Sequence, residues 1–297
     1  MASEIKIDLT YLRIYNDGRI ERLPTPPAVP PSDDPNAAVR TKDVVIDSES
    51  GVSARIYAPR RHDPPRKLPV MVYIHGGAFC VGSAFVSFSH NFVSAVVEKA
   101  GVIAVSAEYR LAPENPIPIP YDDSWTVFRW TAAHAGGDGS EPWLNELADF
   151  RRVYIGGESA GANIATDVAL RAGVEELAGV EVAGLFLLHP YFGLKGEDIL
   201  YKYLCPGSSG GDDDPRVNPA VDPRIGRMAG RRVMFAVAEN DSRKERAVAY
   251  CAALQKSAWG GEVEMMETER EGHVFYLFDL TAEKSVAVID RLVEFLK

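Results

Sequence analysis

The chain has 297 residues, 46% of them hydrophobic, with 42 acidic against 32 basic side chains and a formal net charge of −10. That length is enough to bury a sizeable core, and the acidic balance argues against nucleic acid or an anionic membrane as the main partner. The three cysteines, Cys80, Cys205 and Cys251, are odd in number and lack CxxC spacing, which argues against a disulfide framework or a zinc site and suits a reducing compartment.

The opening MASEIKIDLTYLRIYNDGRIERL alternates charged and apolar residues and contains no continuous apolar core of the secretory type. No run of eighteen apolar residues follows, and the C-terminal LVEFLK carries no retention or lipidation signal. The expectation is a soluble, cytoplasmic protein with no membrane partner; its oligomeric state stays open. NDG at 16–18 reads as a tight turn between antiparallel strands. The proline-rich 24–36 reads as an extended surface crossing.

Eight short apolar runs then read as strands: VVID near 44, SARIYA near 53, and the segments at 69–75, 102–109, 151–157, 182–189, 232–239 and 263–268. The central ones are apolar on both faces, as in a parallel sheet covered by helices. Between them lie amphipathic stretches at 90–101, 122–135, 161–173 and 242–258, and a last one from about 281. Within 242–258 the expected buried stripe is Ala247, Cys251, Leu254 and Ala258; in the last helix it is Val286, Ile289, Val293 and Leu296. Strand–helix alternation after residue 69 predicts a doubly wound α/β sheet with right-handed crossovers. Residues 205–223, CPGSSGGDDDPRVNPAVDP, form an irregular insert. The reading is one domain, 1–297, with a small lid-like addition.

The chemistry centres on GGESAGAN at 156–163. A G-x-S-x-G serine directly after a core strand and before a helix matches a nucleophile elbow, with Gly157 and Gly161 needed because side chains there would clash. The glycine pair in IHGGAF, at the end of the 69–75 strand, frees backbone N–H groups; those of Gly76 and Gly77, with that of Ala160, could form an oxyanion hole. A serine needs a base. Of the six histidines only His189 and His273 follow Ser159; His189 ends a strand and reads as structural, whereas His273 sits in a loop before the last helix. The acid is expected just beyond the 232–239 strand at Asp241, with Glu239 the near competitor. Asp212, Asp213 and Asp214 read as a solvated acidic turn; their spacing fits no calcium loop, and no metal or cofactor is expected. Phe79, Tyr191, Phe192 and Val274 are the candidate pocket residues. Phe85 and Tyr109 serve pocket and core readings equally.

HGGAF (75–79), SAEYRLAPE (106–114), GESAGAN (157–163), LHPYF (188–192), AEND (238–241) and EGHVF (271–275), with LRIYNDGRIERL at 12–23, resemble the plant carboxylesterase family, in the hormone-sensitive-lipase branch of the α/β-hydrolases, over nearly the whole chain. The resemblance implies an α/β-hydrolase fold: a mostly parallel sheet of about eight strands, helices on both faces, and a small cap from about 1–25 and 191–225. It implies a cofactor-free serine hydrolase of small carboxylic esters. Ser159, Asp241 and His273 fall on the family's triad, and Gly76, Gly77 and Ala160 on its oxyanion hole. Three departures stand out: Ala78 where many relatives have a third glycine, Thr166 and Asp167 where relatives often carry histidines, and a shorter stretch between Phe192 and Cys205. The gibberellin receptors of this family lose the catalytic histidine, and the isoflavanone dehydratases can replace the serine with threonine. His273 and Ser159 therefore place receptor and lyase readings behind esterase.

Overall fold

The computed structural model describes residues 4–23, 26–62, 66–175 and 177–297. Its elements run β1 (Ile5–Leu9), β2 (Leu12–Tyr15), β3 (Ile20–Arg22), β4 (Val39–Asp47), β5 (Val52–Pro59), β6 (Leu68–Ile74), α1 (Ser87–Ala100), β7 (Ile103–Glu108), α2 (Ile119–Ala132), α3 (Pro142–Leu147), β8 (Ala148–Glu158), α4 (Ala160–Ala172), β9 (Val182–Leu188), α5 (Ile199–Leu204), β10 (Arg232–Ala238), α6 (Lys244–Lys256), β11 (Glu262–Thr268) and α7 (Glu283–Phe295). All eight sheet strands and five main helices expected from the sequence are present.

The large sheet has the order β11-β10-β9-β8-β6-β7-β5-β4. From β7 to β11 every neighbour is parallel, while β5 pairs antiparallel with β7 and β4 with β5. Strand β6 shows why the sheet is covered on both faces. Its alternate residues Val70, Val72 and Ile74 join one apolar cluster, with side chains of α2, α4 and α6. Met71 and Tyr73 point the other way, into a second cluster with α1 and α7. Period-two alternation thus feeds two cores from one strand. Edge strand β11, EVEMMET, is instead half exposed along its length.

Two helix stripes differ in detail from their periodicities. In α6 the buried residues are Ala247, Tyr250 and Leu254, with Cys251 only half-buried. In α7 they are Ser285, Val288, Ile289, Leu292, Val293 and Phe295, which rotates Val286 toward the edge of the stripe.

The first strands form their own antiparallel sheet, β1-β2-β3, whose β2–β3 turn is the NDG predicted at 16–18. Leu12 and Ile14 anchor it in the core, while β1 is mostly exposed. Arg22 ties it to the large sheet's loops: its guanidinium donates to the carbonyls of Cys80 (2.7 Å) and Ala112 (3.0 Å) and pairs with Glu114. Residues 24 and 25 of the proline-rich crossing lie outside the described residues. The remainder runs along the surface and is pinned by an isolated bridge between Ala28 and Val86.

The 205–223 insert is held by side chains rather than by strands. Asp214, expected in a solvated turn, is buried against Arg216 and Ser208. Asp222 and Asp167 share Arg224, and Asp167 also pairs with Arg171. The departure at Asp167 therefore fastens α4 to the insert. Asn163 does the same from one turn earlier, its Nδ2 donating to the carbonyls of Tyr191 (2.8 Å) and Arg216 (2.6 Å).

Candidate active site

The C-terminal ends of β6, β8, β9 and β10 converge, as ligand sites do in open α/β sheets. Ser159 sits between β8 and α4 with φ 53° and ψ −120°, a strained conformation for any residue but glycine. The turn must be this tight because β6 passes close by. A Cβ at Gly157 would lie 2.0 Å from the Ile74 carbonyl oxygen, and one at Gly161 only 1.9 Å from it. The chain is held there by the Ser159 N–H on the Leu188 carbonyl (2.9 Å) and by the Tyr191 N–H on the Ser159 carbonyl (2.9 Å).

His273 Nε2 lies 2.8 Å from Ser159 Oγ, and its Nδ1 lies 2.6 Å from Asp241 Oδ2. Asp241 Oδ1 accepts the Arg243 N–H at 2.9 Å. Burial acts to raise the Asp241 carboxyl, but the hydrogen bond and charge of His273 and the Arg243 amide outweigh it and hold the acid below its ordinary value. Asp241 therefore stays ionised while it orients the imidazole. Glu239, the competing acid, instead accepts the Arg270 N–H at 2.6 Å.

His189 holds the loop that carries His273. Its Nδ1 accepts the Val274 N–H at 3.0 Å. Burial and the nearby His273 charge drop its pKa to about 3, so it stays neutral and keeps that acceptor. Ligand atoms of His189, Asp241 and His273 lie within 4.8 Å of one another. Each facing atom is already engaged in the bonds just described, so the trio suits proton handling better than a cation.

The oxyanion assignment needs a correction. The Gly76 N–H donates to Glu158 Oε1 at 2.7 Å and is not free for a ligand. Among the described residues the N–H groups of Gly77, Ala78 and Ala160 have no acceptor; Gly77 and Ala78 line the cavity with Ser159, and Ala160 follows Ser159 directly at the start of α4. It is thus the Ala78 N–H, not that of Gly76, that is free beside Gly77. Glu158 is the residue the sequence reading missed. It is buried, bonds the Tyr73 hydroxyl as well as Gly76, and is pushed up to about 7 by burial against those two bonds. His75 orients the same loop: its Nδ1 meets the Gly76 carbonyl at 2.7 Å, and its ring stacks on Tyr109, whose hydroxyl donates to the His75 carbonyl. Burial lowers His75 to about 4.

A cavity of about 400 Å³ opens over Ser159 and His273, of the size small-molecule sites have. Tyr191 and Val274 line it. Phe79 and Phe192 do not, and their pocket assignments are corrected. Phe79, at φ 65°, packs its ring into a cluster with Tyr121, Tyr191 and Tyr201. Phe192 packs edge-on against Tyr250 of α6. The roof residues Tyr11 and Leu23 come from the N-terminal sheet and its exit, and the apolar wall includes Val86, Phe88, Leu277 and Phe278.

Six non-glycine residues have positive φ among those described: Ala78, Phe79, Ser159, His189, Arg270 and Val274. Ala78, Ser159 and Val274 line the cavity, His189 holds the His273 loop, Phe79 follows Ala78, and Arg270 lies in the loop leading to His273. Backbone strain of this kind, about 1–3 kcal/mol per residue, persists only where surrounding structure over-determines it.

A family model for the alpha/beta hydrolase fold matches residues 71–277, and one for the carboxylesterase family matches residues 25–113. A 2-hydroxyisoflavanone dehydratase of Glycine max is 38% identical over 318 aligned positions, covering 100% of both chains. Probable carboxylesterase 1 of Arabidopsis thaliana is 40% identical, covering 100% of this chain and 99% of its own. The solved structure of a Pyrobaculum calidifontis esterase superposes with a TM-score of 0.72 at 21% identity, covering 87% of this chain and 84% of its own, and supports the fold.

Proposed function

The chain belongs to the plant carboxylesterase family of the α/β-hydrolases, and from that premise we propose that it is a serine carboxylesterase acting on small esters. The observation that carries the reading is the unbroken hydrogen-bonded chain from Asp241 through His273 to Ser159 Oγ, set beside unengaged amides at the floor of the cavity.

Ser159 Oγ attacks the ester carbonyl while His273 Nε2 takes its proton, and Asp241 stabilises the imidazolium. The carbonyl oxygen, now an oxyanion, is received by the N–H groups of Gly77, Ala78 and Ala160, with the N-terminus of α4 favouring its charge. His273 returns the proton to the leaving alcohol. Water then repeats the sequence on the acyl-enzyme. No cofactor or metal enters these steps. Residues 4–23 and 191–225 act as the cap of a single hydrolase domain; residues 1–3 and 24–25 of the expected cap lie outside those described. Among the described residues no helix is long and apolar enough to cross a membrane.

The dehydratase relative supports a second reading. There His273 would remove a proton from the carbon beside a carbonyl, the amides would hold the enolate oxygen, and the His273 imidazolium would return that proton to a β-hydroxyl, which leaves as water as the enolate collapses to the alkene. A receptor reading gains nothing from an intact Ser159–His273 contact. Mass spectrometry of products separates the two enzymatic readings, since hydrolysis adds water and dehydration removes it. Turnover of a short-chain chromogenic ester with burst kinetics, abolished by Ser159→Ala, is the expected result. Undiminished turnover in that variant sinks the esterase assignment.

A further inference from the structure

Arg243 stands two residues beyond Asp241, at the start of α6, and its side chain lines the cavity together with Ser159 and His273. The guanidinium lies over the Tyr191 ring, 4.3 Å from its centroid. Its neighbours on the helix are paired: Lys244 with Glu267 at 2.9 Å, Arg246 with Asp212. Arg243 has no carboxylate within ion-pair distance among the described residues, and its Nε is buried with no hydrogen-bond partner.

The acids around it are all engaged elsewhere. Asp241 holds His273 and takes only the backbone N–H of Arg243. Asp198 accepts the Tyr191 hydroxyl (2.9 Å) and the Tyr201 N–H (2.9 Å). Glu158, at the elbow, is capped by Tyr73 and Gly76. Tyr11, on the roof, feels the Arg243 charge: burial pushes its phenol up and Arg243 pulls it back down.

A guanidinium partly withdrawn from water without a counter-ion is costly, and a bound anion relieves that cost. Its planar fork matches a carboxylate with two parallel N–H···O bonds. Elsewhere in the lining Val86, Phe88, Leu277 and Phe278 are apolar, and the free amides of Gly77 and Ala78 face the reacting carbonyl oxygen on the proposed reading, which leaves Arg243 as the lining's one permanent positive charge among the described residues. We propose that Arg243 is a specificity residue that receives a free carboxylate on the substrate, so that the preferred substrates are esters carrying one carboxylate joined to the reacting carbonyl by an apolar segment. This deepens the esterase reading and rests on it for its kinetic form; the anion contact itself does not depend on turnover.

Two measurements on the purified protein test it. The first is calorimetric binding of phenylbutyrate against neutral phenylbutyramide, neither of which is an ester. The carboxylate is expected to bind about ten- to a hundredfold more tightly. Arg243→Leu should erase the difference and Arg243→Lys restore part of it, with circular dichroism confirming that both variants fold. Equal affinities in the wild type, no binding of either compound, or a preference that survives Arg243→Leu each overturn the proposal. The second compares kcat/KM for the mono-para-nitrophenyl ester of adipic acid with that for para-nitrophenyl hexanoate. The anionic ester should be favoured at low salt, and the ratio should collapse in Arg243→Leu. A wild type that hydrolyses both equally through Ser159 overturns the carboxylate preference and leaves the esterase reading standing. One that binds phenylbutyrate through Arg243 but cleaves neither ester does the reverse.

Discussion

The cavity has a floor and a roof built on opposite physical terms. The floor is the elbow: Ser159 wedged between β6 and β9, glycines where a methyl group would meet the Ile74 oxygen, and five strained non-glycine residues. The roof is the β1-β2-β3 sheet, a small antiparallel patch with two fully buried side chains, Leu12 and Ile14. Its polar hold on the main sheet runs largely through Arg22. On the proposed reading, a rigid floor would preorganise the charges that matter in a transition state, while a lightly held roof would let substrate in.

The sharpest way to break this contrast is at the floor's chemistry. His273→Ala should lower kcat by roughly 10⁴- to 10⁶-fold, and Asp241→Asn by about 10⁴-fold, since the amide leaves the imidazole in the wrong tautomer. Steady-state kinetics on a chromogenic ester reads both. An Asp241→Asn variant with near-normal kcat would show that the 2.6 Å contact does not orient the base.

Next comes a matched pair of alanines. Gly161→Ala puts a Cβ 1.9 Å from the Ile74 oxygen and 2.6 Å from the His75 oxygen, both backbone atoms of a buried strand end. It should cost about 3 kcal/mol or more, or prevent folding, in urea denaturation. Gly18→Ala, in the roof hairpin, has nothing within 4 Å and suffers only from its φ of +86°. A loss of about 1 kcal/mol is expected there. Equal losses would erase the distinction between the two regions.

Glu158 sharpens the comparison through pH. With a folded pKa of about 7 against an ordinary 4.5, the native state holds an extra proton between those values. Stability from this group is therefore greatest below pH 4.5 and falls as pH rises to 7, with a slope of order 1 kcal/mol per pH unit. Glu108, also raised to about 7 by burial, slopes the same way. The difference between wild type and Glu158→Gln isolates Glu158: the variant should lose less stability from pH 5 to 7. Identical slopes would mean that Glu158 ionises normally beneath the elbow.

What the sequence made legible follows the same division. The elbow and the eight strands were readable because their signals are local: glycines flanking a serine, apolar runs, a histidine in the loop before the last helix. Which amide is free at the HGGA turn was not, because it depends on Glu158 reaching across from another strand to occupy Gly76. Phe79 and Phe192 sit where pocket residues sit along the chain, and only their packing, Phe79 against Tyr121, Tyr191 and Tyr201 and Phe192 against Tyr250, shows that their rings point away. Helices α3 and α5 span six residues each, too few for periodicity, and were not read from the sequence; the structure shows them capped by Glu141, which accepts the Trp143 N–H, and by Asp198, which accepts the Tyr201 N–H. Arg243 lay hidden in SRKER, which reads as an ordinary charged helix start until Lys244 and Arg246 are seen to have carboxylate partners and Arg243, stacked on Tyr191, has none among the described residues.

The smallest effect is expected at the roof itself. Arg22 donates to two carbonyls on separate loops, Cys80 beside the HGGA turn and Ala112 after β7, and pairs with Glu114. The Glu114 pair is half exposed and contributes little by itself. The two carbonyl bonds carry the fastening, at about 1 kcal/mol each. Arg22→Ala should therefore leave kcat within about threefold, because none of its contacts reaches Ser159 or His273, and raise KM about tenfold as Tyr11 and Leu23 lose their fixed place over the cavity. Limited proteolysis should show faster cutting around residues 20–30 with the remaining fragment intact. A fall in kcat as large as that for Asp241→Asn, with KM unchanged, would mean that the roof is part of the rigid floor and that substrate enters by another route.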